Sequence, residues 1–174
     1  MKTIFFPLVM ISFIFIAITG FAQDTTLEQK RRDIISFGIE SEIIDLLKSL
    51  KAEKNQSFNE QLLEMLSSSR SPKLAMELYR FFADTAYQGA EDAAIRVVES
   101  RDVKTADEVN AALAYLVMKK SGKALPLAKT IIEADEKGYS GYAIRILGTS
   151  GGPEEAKILV AMYDLDDRTE QMRI

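Results

Sequence analysis

Residues 142–159 of this chain read YAIRILGTSGGPEEAKIL, which is an apolar segment, a turn at Gly151-Gly152-Pro153 and a second apolar segment. The same order occurs 31 positions earlier, because AALAYL at 111–116 is followed by a turn at Ser121-Gly122 and by ALPLAKTII at 124–132. A period of this length is typical of helix pairs that stack in a row, each pair burying its apolar face against the next. The chain is therefore predicted to be all-α and to contain such pairs.

The rest of the chain has the apolar spacing of helices. A weaker copy of the pattern covers residues 74–102, and apolar residues from position 27 onward recur at intervals of three and four. Short helices with tight turns fit stacked pairs better than a coiled coil or a four-helix bundle. The pairing of 57–68 with 40–51 or with 72–84 stays open. The spacing predicts helices at 27–37, 40–51, 57–68, 72–84, 90–100, 106–120, 123–135, 140–148 and 154–164.

Capping residues and prolines mark where several helices begin. Ser71-Pro72 places a capping residue before a proline at the first helical position. Thr105 and Glu108 have the spacing of a capping box. Four glycines are predicted to end helices in a left-handed backbone conformation. These are Gly89, Gly122, Gly138 and Gly148.

Residues 143–156 resemble the consensus of HEAT repeats, specifically the short bacterial variety called PBS-lyase HEAT-like. In that family a helix ends at a Gly-Asp-Pro-type turn, and the apolar helix that follows ends in an acidic pair, here Asp166-Asp167. The resemblance weakens toward the N-terminus and is loose over 27–105. It implies an α-solenoid of stacked antiparallel helix pairs, a HEAT-like superhelix. Residues 168–174 resemble the start of another helix without a polar cap, so we expect the repeat array to be truncated at its C-terminus.

The N-terminus has the three-part layout of a secretory signal peptide. Lys2 precedes an uncharged stretch of 19 residues at 4–22, which ends in the small-x-small pattern Gly20-Phe21-Ala22. We predict a signal peptide at 1–22, a HEAT-like repeat domain at 23–174, and export to the periplasm or out of the cell. An uncharged stretch of about 17–25 residues also suffices to cross a membrane. Membrane contact is therefore expected only if the segment stays uncleaved.

The composition limits the chemistry open to this chain. It contains no Cys and no His, so thiolate nucleophiles, imidazole bases and the commonest metal ligands are missing. No cofactor and no metal site are predicted. The net charge is -4, and the only run of three basic residues, at 30–32, is flanked by Glu28 and Asp33. We therefore expect no nucleic-acid partner.

The function predicted from these features is a non-catalytic scaffold. The second helix of each pair would form a long surface that binds a protein partner. The alternative is an enzyme or a ligand-binding protein related to the PBS-lyase HEAT-like proteins, since a fold does not decide a function. Helical phase and residue type select the candidate partner-binding residues, most of them expected to be exposed. They are Glu99, Lys129, Glu133, Tyr142, Lys157 and Tyr163.

Three further groups are predicted to be structural rather than functional. Arg145 is expected to pack its stem and to pair its head with Asp135 or Asp167. The acidic residues at 135–136 and 166–167 are expected to form caps and ion pairs between repeats, because no calcium-loop spacing is present. An aromatic cluster is expected to be core rather than a binding groove. Its members are Tyr79, Phe81, Phe82 and Tyr87.

Overall fold

The computed structural model describes the backbone of residues 26–171 and the side chains of residues 26–162. This part of the chain is helical and contains no β-strand, so the predicted all-α class is confirmed. The predicted signal peptide at 1–22 lies outside the described residues. The helices are α1 (26–37), α2 (Glu40–Ala52), α3 (Asn59–Ser68), α4 (Pro72–Asp84), α5 (Glu91–Glu99), α6 (Ala106–Lys119), α7 (Leu125–Glu133), α8 (Lys137–Ser150) and α9 (Pro153–Gln171).

The predicted helix bounds agree closely with the structure up to α6 and differ after it. The predicted helix at 123–135 is a 3-10 turn, Gly122–Ala124, followed by the shorter α7. Helix α8 is longer than predicted at both ends. It contains Gly138 and Gly148, which were predicted to lie at helix ends. Packing of α8 against its neighbours outweighs the roughly 1 kcal/mol by which each interior glycine weakens an isolated helix.

The chain divides into two compact units, Met1–Leu46 and Leu47–Ile174. The described part of the first unit is α1 with the first half of α2. The backbone N–H of Ile39 donates to Glu42 Oε2 over 2.9 Å, so a carboxylate caps the start of α2. Two large apolar side chains beside this turn are exposed: Phe37 at 87% and Ile39 at 66%.

The second unit is held together by packing between alternate helices. Helix α4 packs on α6, and α6 packs on α8. Helix α4 also contacts α3, α6 contacts α5, and α8 contacts both α7 and α9. The sequence left open whether residues 57–68 pair with 40–51 or with 72–84. In the structure α3 packs on α4, so they pair with 72–84.

The core of the second unit combines large side chains with alanines. Tyr79, Phe82, Leu113 and Tyr115 are at most 1% exposed, so the predicted burial of the aromatic cluster is confirmed for its members on α4. Small side chains at the crossings let helix backbones approach closely. The alanines with no exposed surface are Ala90, Ala94, Ala112, Ala124, Ala128 and Ala143.

Four helices end in the same backbone turn. At the end of α6, the N–H of Ser121 donates to Leu116 O and the N–H of Lys120 donates to Val117 O, each over 3.1 Å. This is the Schellman arrangement, which needs a left-handed residue just after the helix. Helices α2, α4 and α7 end in the same pair of bonds. The left-handed residues are Lys54, Ala86, Lys120 and Asp135, with φ between 51° and 54°.

The prediction that glycines occupy the left-handed positions was wrong. None of the described glycines has a positive φ. A residue with a Cβ is strained in this conformation by roughly 1–2 kcal/mol, so its backbone bonds and the packing of the helices must hold it there.

The predicted N-caps are confirmed where the structure describes them. Ser71 Oγ accepts from the Leu74 N–H over 3.2 Å, directly before Pro72. Thr105 Oγ1 accepts from the Glu108 N–H over 3.3 Å, but the Glu108 carboxylate pairs with Lys104 rather than closing the capping box. A capping box without a hydroxyl begins α9, where the Gly152 N–H donates to Glu155 Oε2 over 2.8 Å.

Candidate functional site

The predicted partner-binding residues lie on four helices. Among those whose side chains are described, no hydrogen bond or ion pair joins one to another. Glu99 and Glu133 are exposed on α5 and α7. Lys157 is exposed on α9 and pairs with Glu154 over 2.8 Å. Tyr142 is half-buried on α8. The side chain of Tyr163 lies outside the described residues.

Lys129 departs from the exposed position expected for it. Its side chain is half-buried, and its ammonium lies 2.7 Å from Glu155 Oε1, so it joins α7 to α9. The hydrogen bond from Lys129, with the bond from the Gly152 N–H, lowers the pKa of Glu155 from 4.5 to about 2. Lys129 therefore stabilises the contact between two helices.

The expected pairing of Arg145 with Asp135 is not found. Both residues are exposed, and no ion pair joins them; the side chain of Asp167 is outside the described residues. The neighbouring Glu136 does form an ion pair, as predicted for the acidic residues, with Arg101 in the segment that follows α5. Arg101 binds both of its carboxylate oxygens, with Nε–Oε2 2.8 Å and Nη2–Oε1 2.6 Å.

This two-pronged contact shifts the pKa values of both partners. The hydrogen bonds with Arg101 lower the pKa of Glu136, and the same bonds raise the pKa of Arg101. Arg101 Nη1 also donates to Val98 O over 3.1 Å at the end of α5. The pair therefore fixes the end of α5 against the start of α8.

A second set of polar contacts joins the turn before α5 to the turn before α7. Lys119 Nζ donates to Gln88 Oε1 over 2.9 Å, and Lys123 Nζ donates to Asp92 Oδ1 over 2.9 Å. Between them, Ser121 Oγ donates to Glu91 Oε1 over 2.7 Å. The partners are 31, 31 and 30 residues apart in sequence. We refer to these three contacts as the turn ladder.

The turn ladder was not predicted from the sequence. Its only trace in the sequence is charge of opposite sign one period apart, acidic at 91–92 and basic at 119–123. Lys123 and Asp92 are the exposed charged pair of the ladder. Their hydrogen bond lowers the pKa of Asp92 and raises the pKa of Lys123.

The Tyr115 hydroxyl forms a buried contact with the turn between α4 and α5. It donates to Tyr87 O over 2.9 Å and accepts from the Ala90 N–H over 3.1 Å. Tyr115 and Ala90 have no exposed surface. Burial raises the pKa of Tyr115 to about 12, so the hydroxyl stays protonated and can donate.

A groove lies between α3 and α5 above α4 and the start of α6. It has a volume of about 220 Å³. Its polar lining includes Tyr79, Arg96, Lys104 and Glu108, and Lys104 Nζ lies 2.9 Å from Glu108 Oε1. Tyr79 was predicted as core and Glu108 as a capping residue, so neither was identified as part of a groove. No signal in the sequence places them together, because they belong to different helices.

The described residues hold no group of three His, Cys, Asp or Glu side chains that could bind a metal ion. Within residues 26–171, no helix has the length and apolar character needed to cross a membrane. Comparison with known proteins identifies no relative: no family model, no curated protein and no solved structure matches this chain.

Proposed function

We propose that this protein is an exported, non-catalytic HEAT-type scaffold that binds a protein partner through its solenoid surface. The turn ladder carries the proposal. Three side-chain contacts that each span 30–31 residues join equivalent turns, and in a row of stacked helix pairs each repeat contacts its neighbours in this way.

Two further observations support stacked pairs. Helices α4, α6 and α8 contact one another in order, which is the packing expected of one row of a two-row array. The left-handed residues that end α2, α4 and α6 are Lys54, Ala86 and Lys120, which lie 32 and 34 residues apart. Equivalent turns at nearly equal intervals are what a repeat of this length requires.

The partner surface in this proposal is formed by α5, α7 and α9, which lie outside the row of α4, α6 and α8. The sequence spacing made α5 and α7 the second helices of their pairs, whereas in the structure they pack on the helices that follow them, α6 and α8. Glu99, Glu133 and Lys157 are exposed there and have no inter-helix ion pair among the described residues. Tyr142, on α8, is half-buried. Its side chain offers a ring and a hydroxyl, and tyrosine is enriched in binding hot spots. Binding along such a surface adds many modest contacts, so charge reversal at one position should weaken it without abolishing it.

The test is capture of the partner from the cell envelope, followed by binding of the purified pair. The tagged chain is incubated with the envelope fraction, and retained proteins are identified by mass spectrometry. Saturable binding of one purified partner should weaken with Glu133→Lys or Lys157→Glu. The matched control is Arg80→Glu, at an exposed position on α4, which does not form the proposed surface. Equal weakening by the control, or no saturable partner, would contradict the scaffold.

Export is tested separately. The mass of the protein recovered from cells should correspond to a chain that begins at Gln23. A mass that includes residues 1–22 would contradict cleavage and favour a membrane-attached scaffold.

A further inference from the structure

The groove between α3 and α5 has a size that suits a small group. Its volume of about 220 Å³ is far more than the roughly 10–15 Å³ that one water molecule needs. It is less than the roughly 300–1,000 Å³ of sites that enclose drug-sized ligands. A single side chain or a small acid fits these limits better than an organic cofactor does.

The charges around the groove favour an anion. Lys104 is neutralised by its ion pair with Glu108, whose side chain is 6% exposed. The Arg96 guanidinium lines the same groove and forms no hydrogen bond or ion pair with any described residue. The lining therefore carries one more positive charge than negative, in a chain whose net charge is -4.

Tyr79 provides a second group without a partner. The residue is only 1% exposed, lines the groove, and has a hydroxyl that makes no hydrogen bond with any described residue. The hydroxyl is not one of the fully enclosed unpaired polar atoms of the described residues, so it is accessible from the groove. Burial, with the negative charge of Glu108 as the next cause, raises the pKa of Tyr79. The hydroxyl is therefore protonated at neutral pH and available as a donor.

We propose that this groove is a carboxylate-binding site, in which Arg96 pairs with one carboxylate and the Tyr79 hydroxyl donates a hydrogen bond to it. The planar guanidinium matches a carboxylate with two parallel bonds. The single negative charge of a carboxylate equals the net positive charge of the lining, whereas a phosphate dianion would exceed it. An acidic side chain of a protein and a small free acid both supply this group. The inference therefore does not depend on the scaffold function.

The test uses three probes with the full, isotopically labelled chain, and follows backbone amide shifts of residues 93–108 by NMR. N-acetyl-glutamate methylamide represents an acidic side chain in a peptide, its glutamine counterpart is the neutral isostere, and acetate represents a free acid. The glutamate probe should bind at least about tenfold more tightly than the glutamine probe, as expected for hydrogen bonds to a charged group. Arg96→Gln should weaken it about tenfold, and Tyr79→Phe severalfold.

Arg80→Gln is the matched control, because Arg80 is exposed on α4, pairs with Glu77 and does not line the groove. Saturable binding of the glutamate probe without acetate binding would support the site and assign it to a protein side chain. Comparable binding of acetate would support it and assign it to a free acid. Equal affinity for the glutamine probe, equal losses in Arg80→Gln and Arg96→Gln, or no saturable shift would overturn the inference.

Discussion

Replacement of Tyr115 by Phe tests whether one hydroxyl holds the turn between α4 and α5. The change keeps the buried ring and removes both hydrogen bonds, which leaves the Ala90 N–H without a partner at a position with no exposed surface. An unpaired buried backbone group costs about 1–3 kcal/mol. The carbonyl of Tyr87 belongs to a half-buried residue and can be hydrated, so we expect the cost to come mainly from Ala90.

Tyr79→Phe is the matched control. The two tyrosine rings lie 6.3 Å apart, both residues are at most 1% exposed, and only the Tyr115 hydroxyl is hydrogen-bonded to described residues. Urea unfolding followed by circular dichroism should show a lower midpoint for Tyr115→Phe with an unchanged slope. The control removes no hydrogen bond to the described residues and leaves no polar group unpaired, so it should not lower the free energy of unfolding. If the two variants lose equal stability, the hydroxyl contact is not what stabilises the turn.

Three other substitutions test the helix ends and the ion pairs. Ala86→Gly should stabilise the fold by about 0.5–1 kcal/mol in urea unfolding, because glycine removes the strain of the left-handed backbone at φ 54°. Glu155→Gln should alter the pH dependence of stability. The folded pKa of Glu155 is lowered from 4.5 to about 2, so its contribution is present above pH 4.5 and is lost as the pH falls toward 2. Thermal melts from pH 6 to pH 2 should show that the variant lacks this loss. Arg101→Lys keeps the charge but loses the two-pronged contact with Glu136, and should lower the free energy of unfolding by about 1 kcal/mol.

Two of these variants, Ala86→Gly and Arg101→Lys, have a control within the chain. Ala161→Gly lies inside α9 at an exposed position and should destabilise, opposite in sign to Ala86→Gly. Arg80→Lys affects a pair in which the arginine side chain is 57% exposed, so its effect should be close to zero. A destabilised Ala86→Gly, a pH profile unchanged by Glu155→Gln, or equal effects of Arg101→Lys and Arg80→Lys would each contradict the explanation given for that site.

The strained helix ends explain where sequence reasoning failed. Glycines were assigned to left-handed positions because glycine adopts that conformation without strain. The structure instead places Lys120 and Asp135 there and keeps Gly148 inside α8. Helix packing decides at which residue each helix ends. The residue at that position must adopt the left-handed conformation, whatever its type. Local preference alone does not decide such positions.

Local pattern was sufficient for most of the helices and for part of the candidate site. Apolar spacing located α1 to α6, and capping chemistry identified Ser71 and Thr105 as helix starts. The exposure of Glu99 and Glu133 followed from helical phase. The half-buried position of Lys129 did not, because its partner Glu155 belongs to another helix.

The amino-acid sequence by itself determined that the chain is all-α, where most of its helices lie and which faces are buried. These properties depend on residues three or four positions apart, and one helix brings such residues together without help from the rest of the chain. Only the tertiary structure decided the turn ladder, the bond from Tyr115 to Ala90 and the groove that brings Tyr79, Arg96 and Glu108 together. Their partners lie on separate helices, so their contacts exist only once helix packing has set the distances between them.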